Sequence, residues 1–379
     1  MIPFCKPSIT NLEKEYMASA AEGKLCGDGP FTAKATGMLR DIQGISNALL
    51  TSSGTHALEL AALLCDIEPG DEVILPSFTF SSTANAFFLR GAKLIFCEID
   101  PRTMNMDPAA AEQLVSSRTK VIAPIDYAGV SCDIDAFRAI ADKCGARIVQ
   151  DSAQSVGSTY RGRGCGADAD FACYSFHETK NYVMGEGGAI TVKASDDLKR
   201  AEIIREKGTD RSRFWRGEVD KYSWQGVGSS YLPSEILAAL LYGQLNRFDE
   251  IMQKRMHVWN TYNECFAGLE AQGLFKRPFI PDYAGHNAHC FFVIANSPKE
   301  RNDLMDHLKA NGVGAVFHYI PLHSAPAGLE MGYRAEDLPL TEEYSARLLR
   351  LPLYADMDEN DIRTVVNGVA SFFGKENIL

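Results

Sequence analysis

The first two-thirds of the chain alternates between short apolar runs and longer amphipathic segments. The apolar runs, each predicted to be a strand, are residues 47–50, 72–75, 93–97, 120–125, 147–150 and 171–176. Most of them are continuously apolar, as is typical of strands buried on both faces. Helical patterns lie between them, at residues 55–66, 107–116 and 134–144 among others. This alternation predicts an α/β fold, in which helices flank a mostly parallel sheet.

The pattern changes in the last third of the chain. A long helical stretch at residues 246–268 leads into a segment interrupted by Pro278 and Pro281, and a mixed α+β tail follows. The 379 residues exceed the size at which a single hydrophobic core stops growing. We therefore predict a large domain over residues 1–245 and a smaller C-terminal domain over residues 246–379.

Composition and charge narrow the class of protein. A net charge of −11 argues against a nucleic-acid binder, because phosphate backbones need a basic surface. No apolar run reaches membrane-spanning length, and no secretory signal is recognisable, so we expect a cytoplasmic protein. The ten cysteines contain no Cys-x-x-Cys pair, which favours free thiols. His286 and His289 lack the carboxylate of a zinc motif, and no metal site is expected.

Candidate binding residues follow the predicted strands, where parallel sheets hold their ligands. The Ser53-Gly54-Thr55 turn opens a helix whose free N–H groups favour an anion such as phosphate, although serine and threonine also serve as ordinary helix caps. Asp151 ends a strand, where an acid can hold a protonated pyridine nitrogen. A helix cap or a surface carboxylate is the alternative interpretation of Asp151.

Lys180 follows the strand at residues 171–176 and precedes a glycine-rich turn at residues 185–188. Lysine forms a Schiff base with an aldehyde once its pKa is lowered, but a lone lysine in a loop is usually solvated. Phe78 and Phe80 could place an aromatic face on a flat ring, or could pack in the core.

The order of these features is more informative than any one of them. A phosphate turn, an aromatic, a carboxylate and a lysine at successive strand ends together fit one cofactor, pyridoxal 5′-phosphate. The chain has no Gly-x-Gly-x-x-Gly turn for a dinucleotide and no Gly-Lys-Ser/Thr loop for ATP.

The sequence resembles the sugar-nucleotide aminotransferases of the fold-type-I pyridoxal-phosphate enzymes. The matching segments extend over most of the chain and comprise Ser-Gly-Thr-His-Ala-Leu (53–58), Pro-Ser-Phe-Thr-Phe (76–80), Asp-Ser-Ala-Gln (151–154), Ser-Phe-His-Glu-Thr-Lys-Asn (175–181) and His-Tyr-Ile-Pro-Leu-His (318–323).

This resemblance implies a role for each matching residue. Lys180 is expected to hold the cofactor and then to move protons, and Asp151 is expected to pair with the pyridine nitrogen. The remaining residues that the resemblance places in the cofactor site are Gln154 at the ring hydroxyl, Phe80 on the ring face, and Thr55, His56 and Ser175 at the phosphate. Two histidines, His318 and His323, are expected in the sugar site.

One position departs from the family pattern. Many members carry Gly-x-Asn-x-Arg, whose asparagine reaches the cofactor phosphate of the neighbouring subunit. This chain has Ser230 at that position, so we expect a serine hydroxyl to make a shorter version of the contact. The resemblance also implies a homodimer with shared active sites.

A basic segment at residues 205–216 carries five cations and two acids in an otherwise acidic chain. It includes Arg205 and Arg211, which suit a diphosphate, although a solvated helix face is an alternative interpretation.

The strings at residues 23–29, 205–209, 219–222 and 228–232 resemble one subgroup of the family, the transaminases that form dTDP-4-amino-4,6-dideoxygalactose for enterobacterial common antigen. In that subgroup glutamate donates the amino group and dTDP-4-keto-6-deoxyglucose accepts it. Amination at C3, another nucleotide keto-sugar, or a non-catalytic protein that binds pyridoxal phosphate or a sugar nucleotide are the alternatives.

Overall fold

The computed structural model describes residues 1–375. Its strands are β1 (Leu49–Thr51), β2 (Glu72–Pro76), β3 (Lys93–Cys97), β4 (Thr119–Ile122), β5 (Arg147–Asp151), β6 (Thr159–Tyr160), β7 (Arg163–Gly164), β8 (Phe171–Ser175), β9 (Gly188–Val192), β10 (Phe275–Lys276), β11 (Ala284–Gly285), β12 (Phe291–Ala295) and β13 (Leu348–Leu351).

The α-helices are α1 (Asn11–Ala21), α2 (Pro30–Gln43), α3 (Gly54–Leu64), α4 (Ser81–Phe88), α5 (Pro108–Gln113), α6 (Ile134–Cys144), α7 (Ser195–Arg205), α8 (Arg211–Trp215), α9 (Glu235–Asn246), α10 (Phe248–Ala271), α11 (Pro298–Ala310), α12 (Pro326–Glu330), α13 (Pro339–Arg347) and α14 (Glu359–Phe372). Short 3₁₀ turns occupy Tyr127–Gly129 and Ala335–Asp337.

Seven strands form the central sheet, in the order β1-β9-β8-β5-β4-β2-β3. Neighbouring strands from β3 across to β8 are parallel, and β9 runs antiparallel to both β8 and β1. The predicted α/β fold with a mostly parallel sheet is therefore confirmed. Strand β9 was not among the predicted strands.

Burial on both faces of the sheet explains why apolar and polar residues do not alternate along these strands. Every residue of β2, β8 and β9 is buried. One face carries α2, α6 and α9, and the other carries α3, α4 and α7. The predicted strand at 120–125 ends at Ile122 in the structure, shortly before Pro124, which cannot donate a ladder hydrogen bond.

The central helices also follow from local sequence. Helix α6 begins where Asp133 caps the N–H of Ala136 at 3.2 Å and ends at Gly145 in the left-handed conformation. The predicted helix at 246–268 is α10, which is separated from α9 by Arg247.

A second, three-stranded antiparallel sheet has the order β10-β12-β13. Helices α10, α11 and α14 share a hydrophobic cluster with this sheet, and Ile2 packs in the same cluster. The first residues of the chain thus contact its last third, where Ile2 also pairs with Val313. The domain division at residue 245 stays a prediction.

Candidate active site

The main cavity has a volume of about 790 Å³ and lies where β2, β5 and β8 end. Its walls come from the start of α3, from the segments that follow these strands, and from two C-terminal segments near residues 317–320 and 350–353. The residues predicted from sequence that line it are Thr55, Phe80, Asp151, Gln154, Ser175, Lys180 and His318.

Asp151 is the last residue of β5 and is buried in the cavity wall. One carboxylate oxygen accepts a hydrogen bond from Thr83 Oγ1 at 2.6 Å, and the other accepts one from the N–H of Ala153 at 3.1 Å. Burial raises the pKa of Asp151, and these two hydrogen bonds oppose the rise. A buried carboxylate with few partners is suited to binding a cationic N–H group of a ligand.

Lys180 lies in the loop after β8, which is anchored by the hydrogen bond from its own N–H to His177 O at 2.9 Å. Its Nζ has no hydrogen-bond partner within the described chain, and it lines the cavity. Burial lowers the pKa of Lys180, while the charge of Asp151 opposes the shift and that of Arg350 adds to it. A lowered pKa increases the fraction of neutral, nucleophilic amine.

The start of α3 lies at the cavity and is suited to an anion. Ser53 caps the helix by accepting the N–H of His56 at 3.0 Å, so the turn serves as a helix cap, and its role in binding an anion stays a prediction. The hydroxyls of Thr55 and Ser82 lie 2.7 Å apart at the cavity, beside Ser175. Gly54 is required there, because a Cβ at this position would lie 2.9 Å from Ser175 Cβ. Free helix N–H groups surrounded by hydroxyls suit a phosphate.

Phe80 and Gln154 line the same cavity as Asp151. Phe80 is 59% exposed at the opening, whereas Phe78 is fully buried in the core. Gln154 donates a hydrogen bond to the Tyr319 hydroxyl at 3.0 Å and accepts one from the N–H of Ala128 at 2.7 Å. Its amide is thereby fixed at the edge of the cavity.

Two buried histidines line the cavity. His318 Nδ1 bonds the Tyr127 hydroxyl at 3.0 Å, and His289 Nδ1 lies 3.0 Å from Asn181 Oδ1. Because the Asn181 amide donates to Asn287 O at 2.8 Å, its oxygen accepts from His289. The Nε2 atom of His289 is therefore an acceptor. Burial lowers the pKa of both histidines, so both are neutral near pH 7.

A second cavity, of about 280 Å³, holds Arg211 and Ser230. Arg211 pairs with Glu206 at 3.1 Å, and Trp215 lies beside it. Arg205 lies behind this cavity, with its side chain bonded to Asp28 at 2.6 Å and to Leu50 O at 3.1 Å. In one chain, the basic segment is therefore separate from the main cavity.

His56 and His323 do not line the main cavity. His56 bonds Ser52 Oγ at 2.7 Å and packs against Tyr231, with ring centroids 4.9 Å apart. His323 is fully buried and bonds Ser77 Oγ at 2.7 Å. Whether either histidine contacts a ligand stays a prediction.

Several residues of the site are not predicted from the sequence, among them Ser82, Thr83, Tyr127, His289, Tyr319 and Arg350. Tyr319 lies within the segment at residues 318–323 that was singled out, so proximity to His318 could have suggested it. Arg350 stands in an apolar strand with no neighbouring motif, and the sequence carried no signal for it.

The main cavity thus combines an amine with a lowered pKa, a buried carboxylate, an exposed aromatic side chain and a helix start suited to an anion. A cofactor with an aldehyde, a pyridine nitrogen and a phosphate would use all four. The residues present therefore fit pyridoxal phosphate, and the fold and site define a pyridoxal-phosphate enzyme of the aminotransferase class.

Comparison with known proteins agrees with this assignment to the aminotransferases. The model of the DegT/DnrJ/EryC1/StrS aminotransferase family matches residues 7–370, and the chain belongs to this family. The spore coat polysaccharide biosynthesis protein SpsC of Bacillus subtilis is 31% identical over 377 residues, which cover 97% of this chain and 96% of SpsC.

Solved structures share the whole fold. The pyridoxal-phosphate form of Spr1654 from Streptococcus pneumoniae has a TM-score of 0.91 at 26% identity, covering 100% of this chain and 99% of that one. The aminotransferase TlmJ from Streptoalloteichus hindustanus has a TM-score of 0.90 at 27% identity, covering 99% of each chain. The protein is thus a pyridoxal-phosphate-dependent sugar aminotransferase, whose substrates are small molecules. Within residues 1–375, no helix has the length and apolarity needed to cross a membrane.

Proposed function

We propose that the protein transfers an amino group from glutamate to C4 of dTDP-4-keto-6-deoxyglucose, forming dTDP-4-amino-4,6-dideoxygalactose for surface polysaccharide synthesis. The observation that carries the aminotransferase chemistry is Lys180, an unbonded amine with a lowered pKa in the same cavity as Asp151. The choice of sugar is supported by the shared strings at residues 23–29 and 228–232. The name of SpsC, which refers to polysaccharide biosynthesis, agrees with this choice.

The residues around the cofactor have separate tasks in this proposal. Pyridoxal phosphate, when bound, supplies an electron sink for the charge left on the carbon that loses a proton. Asp151 would hold the protonated ring nitrogen, Gln154 would hold the ring hydroxyl, and Phe80 would cover the ring. The groups that would hold the phosphate are the start of α3 and the hydroxyls of Thr55 and Ser175.

Lys180 acts twice. Its amine, with its lowered pKa, would hold the aldehyde of the cofactor, and in the presence of the amino donor it would be a free base inside the cavity. As that base it would take the proton from the α-carbon of glutamate, and it would return a proton when the keto-sugar accepts the amino group. Burial makes this possible, because it keeps the Lys180 amine neutral at a lower pH than a solvated lysine.

We also propose that the enzyme is a homodimer whose partner completes the site. Arg211 and Ser230 lie in the second cavity, at a surface where Trp215 and Trp224 are 63% and 80% exposed. Large exposed aromatic side chains are typical of an interaction surface. In this arrangement Ser230 contacts the cofactor phosphate of the neighbouring subunit, and Arg211 contacts the sugar-nucleotide diphosphate.

Visible absorption of the purified holoenzyme tests the chemistry. Glutamate should bleach the cofactor band and yield 2-oxoglutarate before any sugar is added. Addition of dTDP-4-keto-6-deoxyglucose should restore the band, and NMR of the product should place the new amine on C4. An unchanged band with every amino acid would contradict the aminotransferase proposal. Amination at C3, or turnover with another keto-sugar only, would replace the proposed substrate.

Mixed dimers test the shared site. Lys180→Ala and Arg211→Gln chains are each expected to be weakly active or inactive alone. A hybrid dimer contains one site with Lys180 from one chain and Arg211 from the other, so activity should rise above the sum of the two parents. Activity that never exceeds that sum would contradict sharing.

A further inference from the structure

The main cavity contains an arginine without an acidic partner. Arg350 lies on β13 and lines the cavity together with Lys180. Its guanidinium donates one hydrogen bond, from Nη2 to Phe317 O at 3.2 Å, and forms no ion pair within residues 1–375. Its Nε is buried and has no acceptor in that part of the chain. Since a guanidinium carries five N–H donors, most of its bonding capacity is unused.

The guanidinium is nevertheless held in place. It stacks over the ring of Phe4, with Cζ 4.5 Å from the ring centroid. The Arg350 backbone is fixed by two hydrogen bonds with Val316, at 2.8 and 3.1 Å, and by pairing opposite Phe292 on β12. A planar donor group that is already oriented loses little entropy when it binds an anion.

No acid in the cavity neutralises Arg350. Asp151 is occupied by Thr83 and the N–H of Ala153. Asp126 is enclosed by four donors, namely Gln150 Nε2, Ser152 Oγ, Ser155 Oγ and the N–H of Cys132. Glu186 is largely solvent-exposed and lies 3.5 Å from His177. The unused donors of Arg350 are therefore available to an anionic ligand, which would compensate its charge in the partly desolvated cavity.

Arg350 is also electrostatically close to the reacting amine. Its charge adds to burial in lowering the pKa of Lys180, and it acts in the same way on the pKa of His318. Burial lowers the pKa of His289, His318 and Lys180, whereas a guanidinium stays protonated, so Arg350 is the most firmly cationic of these four groups.

We propose that Arg350 binds a carboxylate of the amino donor. The inference rests on the proposed function, because it takes the donor to be an amino acid. A guanidinium can form two parallel hydrogen bonds with a carboxylate, which fixes both the position and the orientation of the donor. The keto acid left after transfer keeps its carboxylates and binds the same group. The other anion that enters the site is the diphosphate of the sugar nucleotide, and the experiment separates the two.

Arg350→Gln and Arg350→Lys variants of the holoenzyme test the proposal. Calorimetry with glutarate, a dicarboxylate that has no amino group and cannot react, measures binding directly. Stopped-flow absorbance measures each half-reaction separately. For Arg350→Gln we expect the glutarate Kd and the half-saturating glutamate concentration to rise about 10- to 100-fold, the size of a lost charge-assisted contact. For Arg350→Lys we expect values between those of the wild type and of Arg350→Gln, because lysine keeps the positive charge but cannot form two parallel hydrogen bonds with a carboxylate. The sugar half-reaction should be unchanged.

Arg301→Gln is the matched control. Arg301 is also a half-buried arginine that bonds a carbonyl, Leu348 O at 3.4 Å, and approaches an aromatic ring, that of Phe317 at 5.8 Å. It does not line the main cavity, so its variant should bind glutarate like the wild type.

The possible outcomes distinguish failure of the Arg350 proposal from failure of the proposed amino donor. Unchanged glutarate and glutamate binding in Arg350→Gln would overturn the proposal, and so would a loss confined to the sugar-nucleotide half-reaction. If glutamate fails to convert the wild type, the proposed donor is wrong. Arg350 is then tested with whichever amino acid does convert it, since every such donor has a carboxylate. If Arg350→Gln does not fold, Arg350→Lys provides the comparison.

Discussion

Replacing Asp151 by asparagine should raise the stability of the apo-protein while it lowers activity. The substitution keeps the shape of the side chain. The oxygen of the new amide can still accept from the N–H of Ala153, and its NH₂ group can donate to the Thr83 hydroxyl, which in the wild type donates to Asp151 at 2.6 Å. What changes is the charge in a buried site.

Activity should fall because the ring nitrogen loses its anionic partner. A hydrogen bond to a charged group contributes about 1.5–3 kcal/mol, which corresponds to roughly 10- to 150-fold in rate. Since the carboxylate also keeps the ring nitrogen protonated, we expect kcat/KM to fall beyond that range. Thr83→Val is the control, because it retains the carboxylate and removes one hydroxyl. It should lose about tenfold or less.

Stability should change in the opposite direction. Burial raises the pKa of Asp151 above its ordinary value of 3.8, so ionising this group in the folded apo-protein at pH 7 costs free energy. A tenfold change in an ionisation constant corresponds to about 1.4 kcal/mol. Asparagine has no group to ionise, so the thermal midpoint of the apo-variant at pH 7 should be a few degrees higher than that of the wild-type apo-protein. The advantage should shrink as the pH falls from the raised pKa towards about 4, below which the wild-type carboxyl is protonated in both the folded and the unfolded state. Full activity, or a less stable apo-variant at pH 7, would refute the reasoning.

Three further predictions concern single side chains. Lys180→Ala should fold normally, because Nζ makes no hydrogen bond within the described chain, yet it should lack the visible band of the covalently held cofactor and all transamination; retained turnover would contradict the assignment. His323→Ala should lower the free energy of unfolding by about 1–3 kcal/mol, since it leaves the buried Ser77 hydroxyl without its 2.7 Å partner; unchanged stability with a raised KM for the sugar would instead support direct contact. Glu235→Gln should cost about 2–3 kcal/mol in denaturant unfolding, because this buried carboxylate accepts the N–H groups of Gly29, Phe31 and Thr32 at the start of α2. A loss below about 0.5 kcal/mol, the size of a surface substitution, would contradict this account.

The central sheet and most of the cofactor site could be predicted because their signals are local. Strands buried on both faces appear in sequence as continuous apolar runs, and parallel strands place their carboxyl ends at one edge. Thr55, Phe80, Asp151, Ser175 and Lys180 lie at or after the ends of such strands, and in the structure they line one cavity. Their individual roles stay predictions.

Strand β9 shows where local reasoning failed. No strand is predicted after the glycine-rich turn at residues 185–188, yet Gly188–Val192, which begins at the last residue of that turn, is one. The segment becomes a strand because β8 on one side and β1 on the other both offer antiparallel partners. The local signal is a short run, Ala-Ile-Thr-Val at 189–192, directly after a turn with three glycines, and pairing with neighbours on both sides makes it a strand.

The sequence by itself determined the class of fold, the order in which functional side chains occur at successive strand ends, and the cofactor that these side chains suit. Only the tertiary structure decided which distant side chains join them. It placed Arg350 of β13 in the cavity with Lys180, enclosed His323 against Ser77, and left Arg211 and Ser230 in a separate cavity. The physical reason is that periodicity and turn chemistry act over a few residues. Burial and charge pairing depend instead on how the sheets and helices pack, which brings residues from opposite ends of the chain into contact.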